Sequence, residues 1–148
     1  MKQNIYARCT GDKNRMCLLC NSHYLVKNPI ETNTFCPDCF TESRKHELTR
    51  VKHHLHRAEK AGNDATLTIN QWLKILDYFK WKCAYCPNGQ FEVLEHIVPI
   101  LSGGGTTSIN CIPACLSCNR RKDSKLLIDK LSKYKIEQVK QQLIDIAL

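Results

Sequence analysis

The chain has 148 residues, enough for one domain or two small ones, and its 22 lysines and arginines outnumber its 14 aspartates and glutamates for a net charge of +8. That excess points to an acidic partner such as nucleic acid. No stretch approaches the ~18 apolar residues of a membrane span, and Met1-Lys2-Gln3-Asn4-Ile5 leads into no apolar signal segment, so a soluble protein of the cytoplasm, in a bacterial or phage-infected cell, is expected.

Ten cysteines are many for this length. In a secreted chain they would indicate disulfides, whereas in a reducing compartment metal is the better account. Along residues 1–40 they begin as two CxxC pairs, Cys17/Cys20 and Cys36/Cys39, with positions 21–35 between them, a familiar interval for a zinc site. Two residues between thiolates let one tight turn present both sulfurs to one ion, and two such turns complete a tetrahedral zinc site. This segment reads as a zinc-ribbon-like module with a turn at Asn28-Pro29. Cys9 is a conceivable alternative to Cys17, although no CxxC partner supports it.

Residues 41–64 read as a basic linker helix, with Leu48, Val51, Leu55 and Ala58 at helical spacing and an end at Gly62-Asn63. Arg44, Lys45, Arg50, Lys52, Arg57 and Lys60 cover its other faces, where they suit a phosphate backbone. His53, His54 and His56 fall on the same helix, and a solvated face is the better account of them than metal binding.

Residues 65–131 form the next unit. Thr68-Ile69-Asn70-Gln71 has the form of a capping box, and the helix behind it carries Trp72, Ile75, Leu76 and Phe79 as a packing stripe. It leads into Cys83/Cys86, which positions 87–114 separate from Cys115/Cys118. That interval is longer than a simple zinc loop and can enclose something useful. It holds an apolar run, Phe91 to Val98, then Pro99 and the glycines 103–105, then Ser108 to Pro113. Two short strands joined by a glycine loop are expected, followed by a helix starting near Cys118 that opens with Arg120, Arg121, Lys122 and Lys125. Cys111 reads as a small core residue. Residues 132–148 carry Ile136, Val139, Leu143 and Ile146 as a last helical stripe, which either packs back on the domain or meets a partner.

Within the apolar run stand Glu95 and His96. Burying an unpartnered carboxylate is costly, and in a regular strand these neighbours face opposite ways. If both serve one site, the strand must bend or end there, which Pro99 and the glycines favour. Cys-x2-Cys, Glu-His-x2-Pro, Gly-Gly, Asn, then Cys-x2-Cys-Asn-x2-Lys over residues 65–130 resembles the HNH endonucleases of the ββα-metal class.

The resemblance implies an α+β fold: a small zinc-stabilised ββα-metal domain, here with an N-terminal four-cysteine module and flanking helices. It implies His96 as the general base, Asn110 as the residue orienting that imidazole, and Glu95 and Asn119 as ligands of a catalytic divalent cation. Glutamate replaces the more usual aspartate, and asparagine stands at a position often held by histidine. This oxygen pair favours Mg²⁺ or Mn²⁺. Four thiolates close a coordination sphere, so the two zinc ions are structural. The expected partner is double-stranded DNA. One site per chain cuts one strand, so a double-strand cut would require a homodimer or two sequential nicks. Two readings compete with the homing or restriction-type nuclease: a non-catalytic zinc-ribbon DNA-binding regulator, and a zinc-stabilised protein-interaction module. The basic charge disfavours the last.

Overall fold

A computed structural model describes residues 15–17, 19–24, 36–123 and 130–147. Cys9, the Asn28-Pro29 turn and Lys125 lie outside them. The protein is α+β and divides into two compact units, Met1–Thr49 and Arg50–Leu148, with the division falling inside one continuous helix.

In the first unit β1 (Arg15–Met16) pairs antiparallel with β2 (His23–Tyr24). Between them the chain turns tightly: the Asn21 amide donates to the Cys17 carbonyl at 2.9 Å, with Asn21 at φ 56°. Helix α1 (Pro37–Lys60) opens at the second cysteine pair, four residues earlier than the sequence pattern indicates. Proline is preorganised for the first helical position and Asp38 complements the positive helix end. The Cys36 carbonyl takes the first helical hydrogen bond, from the Phe40 amide at 2.8 Å.

The second unit contains the rest of α1, which ends where Gly62 takes φ 74° and the Asn63 and Gly62 amides reach back to the Ala58 and Glu59 carbonyls. Helix α2 (Ile69–Tyr78) begins with the anticipated capping box, Thr68 and Gln71 bonding reciprocally. Trp72, Ile75 and Leu76 are buried together with Leu73, while Phe79 is only partly buried. The same helix-ending turn closes α2, but Lys80 and Trp81 occupy the left-handed positions at φ 53° and 56°, a conformation that costs a non-glycine residue about 1–2 kcal/mol.

Strands β3 (Val93–His96) and β4 (Cys111–Ala114) then form an antiparallel pair with Glu95 opposite Ile112 and His96 opposite Cys111. A single 3₁₀ turn, Ile100–Ser102, and the three glycines join them. Helix α3 (Leu116–Asp123) starts two residues before Cys118. The cause is local: the Cys115 carbonyl accepts from the Asn119 amide at 3.0 Å, and the Glu92 carboxylate caps the Leu116 amide at 2.8 Å. Helix α4 (Lys130–Ala147) packs on α2 with Val139 and Leu143 fully buried, which decides between the two fates of its apolar stripe. Cys111 is fully buried in β4, as a small core residue. Among the described residues no helix is long and apolar enough to cross a membrane.

Candidate metal centres and catalytic site

The sulfurs of Cys17, Cys20, Cys36 and Cys39 all lie within 4.8 Å of one another, as do those of Cys83, Cys86, Cys115 and Cys118. A zinc tetrahedron with bonds of about 2.3 Å has edges of about 3.8 Å. The Cys20–Cys36 and Cys86–Cys115 sulfurs are each 3.9 Å apart, so both sets fit zinc. Turns supply the geometry at the second site: the Cys83 amide donates to the Gly89 carbonyl at 2.8 Å and the Cys118 amide reaches the Cys115 sulfur at 3.4 Å. Gly89 is pressed against the cluster, because a Cβ there would stand 2.7 Å from Cys86 Sγ and 3.0 Å from Cys115 Sγ.

Between the second pair of knuckles, β3 ends at His96, and Glu95 and His96 are both buried. Both lie within the ladder, Glu95 opposite Ile112 and His96 opposite Cys111, and their side chains take different partners, Lys122 and Thr106. The Lys122 ammonium, from α3, donates to both the Glu95 carboxylate and the His96 carbonyl. A lysine that reads in sequence as a phosphate contact is therefore turned inward, and its charge compensates the buried carboxylate. Asn119 sits one turn into α3, and its Oδ1 is buried with no hydrogen-bond partner. An unpaired amide oxygen is costly in an apolar setting and is a suitable ligand for an oxygen-seeking cation. Tyr85 Oη is likewise buried without a partner, and burial, with the Glu95 charge next in size, raises its pKa well above the usual phenol value.

The His96 Nε2 lies 2.9 Å from Thr106 Oγ1, and that hydroxyl donates to the main-chain carbonyl of His54 at 3.0 Å. Thr106 is fully buried, and its backbone fastens to residues 64–67 through the Asp64 carbonyl and the Thr66 and Leu67 amides. The His54 ring packs against the His96 ring, centroids 5.2 Å apart and planes inclined at 42°. Burial first, then the Arg57 and Lys122 charges, hold His96 down at about 4, and burial and the neighbouring His96 hold His54 down at about 3. Both imidazoles are thus neutral near neutral pH.

Of the three linker-helix histidines, His53 and His56 are exposed, whereas His54 is half-buried with its ring against His96. It lies three residues after Val51 and four before Ala58, both buried, so the helical period could have flagged it. Thr106 carries no comparable signal in Thr106-Thr107-Ser108.

Asn110 is buried, but its side chain laces the glycine loop: Oδ1 accepts from the Val98 amide at 2.8 Å, and Nδ2 donates to the Val98 and Gly105 carbonyls at 3.0 and 2.8 Å. The imidazole's hydrogen-bond partner is Thr106. Asn63 holds the same loop from outside through the Ile100 and Gly104 carbonyls.

Among the basic residues, Lys52, Arg57, Arg120 and Arg121 are exposed. Arg50 lies 4.8 Å over the Phe91 ring and donates to the Glu92 carbonyl at 2.9 Å. In the first unit Arg44 is half-buried and Lys45 pairs with Glu42 at 2.8 Å.

The family model described as HNH endonuclease matches residues 83–125. No curated protein and no solved structure matches the chain. The match begins at the first cysteine of the second quartet and contains Glu95, His96, Thr106, Asn110, Asn119 and Lys122, while His54 lies outside it.

Proposed function

Residues 83–125 are a domain of the HNH endonuclease family, and from that premise we propose that the chain is a metal-dependent DNA endonuclease of homing or restriction type. The observation that carries this reading is a buried carboxylate followed in sequence by a buried, neutral imidazole at the end of β3. A satisfied core would need neither group.

In this reading His96 takes the proton from the attacking water, which a neutral imidazole can do near neutral pH. Glu95 and Asn119 hold one divalent cation, Mg²⁺ or Mn²⁺ from the all-oxygen donor pair. Such a cation supplies charge stabilisation for the scissile phosphate and the departing oxygen. Glu95 would hold the cation in place of Lys122, whose ammonium would then be available to a phosphate. The expected products carry 5′-phosphate and 3′-hydroxyl ends. Asn110 shapes the loop that borders the base. Arg44, Lys45, Arg50, Lys52, Arg57, Arg120, Arg121 and Lys125 supply further charge for double-stranded DNA, and the two zinc ions are structural. A homodimer would cut both strands at a near-palindromic target.

The Glu95–Lys122 pair favours one other reading, a non-catalytic zinc-containing DNA-binding regulator, because the carboxylate already has a counter-ion within the chain. Supercoiled-plasmid cleavage with Mg²⁺ or Mn²⁺ separates the two. Wild type is expected to nick or linearise DNA, and His96→Ala, with zinc content kept, to lose about 10²–10⁴-fold in rate. Equal cleavage by the variant removes His96 from the reaction. Salt-sensitive binding by both proteins, with no cleavage of a randomised DNA pool, leaves the regulator.

A further inference from the structure

We infer that Thr106 and the main chain of His54 form a positioning relay that fixes His96 as the tautomer with its proton on Nε2, leaving Nδ1 as the atom that accepts a proton from water. The inference rests on the nuclease reading for its catalytic consequence, but the tautomer itself is a property of the DNA-free protein.

The argument is one of proton counting. A threonine hydroxyl has one proton to give, and a carbonyl oxygen has none. The Thr106 hydroxyl stands between the His54 carbonyl at 3.0 Å and the His96 Nε2 at 2.9 Å. Its proton satisfies the carbonyl, so its lone pair faces Nε2, and Nε2 must bring its own hydrogen. In a neutral imidazole the other nitrogen, Nδ1, then carries the lone pair. The opposite tautomer would turn the hydroxyl toward Nε2 and forfeit the bond to His54. One net hydrogen bond amounts to roughly a tenfold preference.

The relay is built rigidly. Thr106 is fully buried and its backbone is held at both ends: its amide donates to the Asp64 carbonyl at 2.7 Å, and its carbonyl accepts from the Thr66 and Leu67 amides at 3.0 Å each. The His54 carbonyl belongs to a helix, so it cannot swing, and the His54 ring covers the His96 ring. The base is thus oriented from α1, a segment outside the family match.

The test uses full-length, zinc-loaded protein. Long-range ¹H–¹⁵N correlation of the histidine side chains near neutral pH, with the His96 signals assigned by their loss in His96→Gln, reads the tautomer without DNA. Wild type is expected to carry the His96 proton on Nε2. Thr106→Val, which keeps the shape and removes the hydroxyl, should shift His96 toward a mixture, and Thr106→Ser should restore it. In plasmid cleavage Thr106→Val should lose about two- to tenfold in kcat at little change in KM, no more than the lost tautomer preference allows, with rescue by serine.

A wild-type proton on Nδ1 overturns the relay whether or not any variant folds. So does an unchanged tautomer in Thr106→Val, or a changed tautomer with no loss of kcat. If the protein cleaves no DNA at all, the tautomer measurement still decides the relay, and the nuclease reading fails separately.

Discussion

The two four-cysteine sites share a ligand set and differ in what the chain does between the pairs. At the first, positions 21–35 separate the pairs and all four cysteines are buried. At the second, the longer stretch 87–114 intervenes, Cys86 and Cys118 are only partly buried, and the enclosed chain is the β3–β4 pair with Glu95 and His96. The first set holds a short turn and a helix start. The second also carries the proposed site: α3 begins just after Cys115, so the knuckle that supplies two thiolates also carries Asn119 and brings Lys122 to Glu95 in β3. A closed zinc sphere does no catalysis itself, yet the longer span lets the second set frame the proposed active site as well as staple the chain.

The harshest way to break this comparison is to remove one ligand from each site. Cys115→Ser is expected to lower the zinc content by one ion, unfold the β3–β4–α3 region and abolish cleavage, since structural zinc commonly contributes about 10–16 kcal/mol of binding free energy that is also folding free energy. Cys36→Ser should also lose one ion but keep His96-dependent cleavage. Zinc analysis beside plasmid nicking reads both. If Cys36→Ser loses both ions and all cleavage, the sites are a single cooperative unit and the distinction between staple and frame collapses.

A milder change sharpens the second site alone. The side chains of Lys122 and Glu95 are 15% and 11% exposed, so their pair is largely removed from water. Lys122→Met leaves Glu95 a buried charge without its counter-ion and should cost about 3 kcal/mol in denaturant unfolding. Mn²⁺ should recover part of that loss, and recover more than it adds to wild type, when Glu95 serves as a cation ligand. Equal Mn²⁺ responses in the two proteins would count against Glu95 as a ligand.

The elements that local patterns specify are legible in the sequence alone. CxxC spacing marks metal turns, the Thr68–Gln71 box marks a helix start, and apolar runs broken by Pro99 and glycines mark two strands. Contacts between distant residues are not. His96 meets a carbonyl from α1 through a hydroxyl from the far side of the glycine loop, and no composition or period announces a hydroxyl shared between an imidazole and a helix carbonyl. Lys122 shows an intermediate case. Basic neighbours make it look like a solvated face, but it follows Cys118 by four residues, and one helical turn places it on the ligand's side. Asn110 had a position that resemblance could supply, while its hydrogen bonds to Val98 and Gly105 needed the folded loop.

The smallest of these effects isolates the second zinc site without touching a ligand. Gly89 has no Cβ, and an alanine methyl would meet Cys86 Sγ at 2.7 Å and the Cys115 Cβ and Sγ at 3.0 Å each. Those atoms cannot yield cheaply, because a shift of either sulfur spoils a tetrahedron whose edge is now 3.9 Å. Moving the backbone instead would stretch the Gly89 carbonyl away from the Cys83 amide, the bond that forms the first knuckle. Gly89→Ala is therefore expected to weaken zinc retention at this site about 10–100-fold, the usual effect of disturbing a ligand's surroundings, and to leave the first site unchanged. Competition with a chromophoric chelator should show one tight and one weakened ion. Two equally tight ions would mean that the knuckle has room the geometry denies it, and that the second frame is looser than its sulfur spacing indicates.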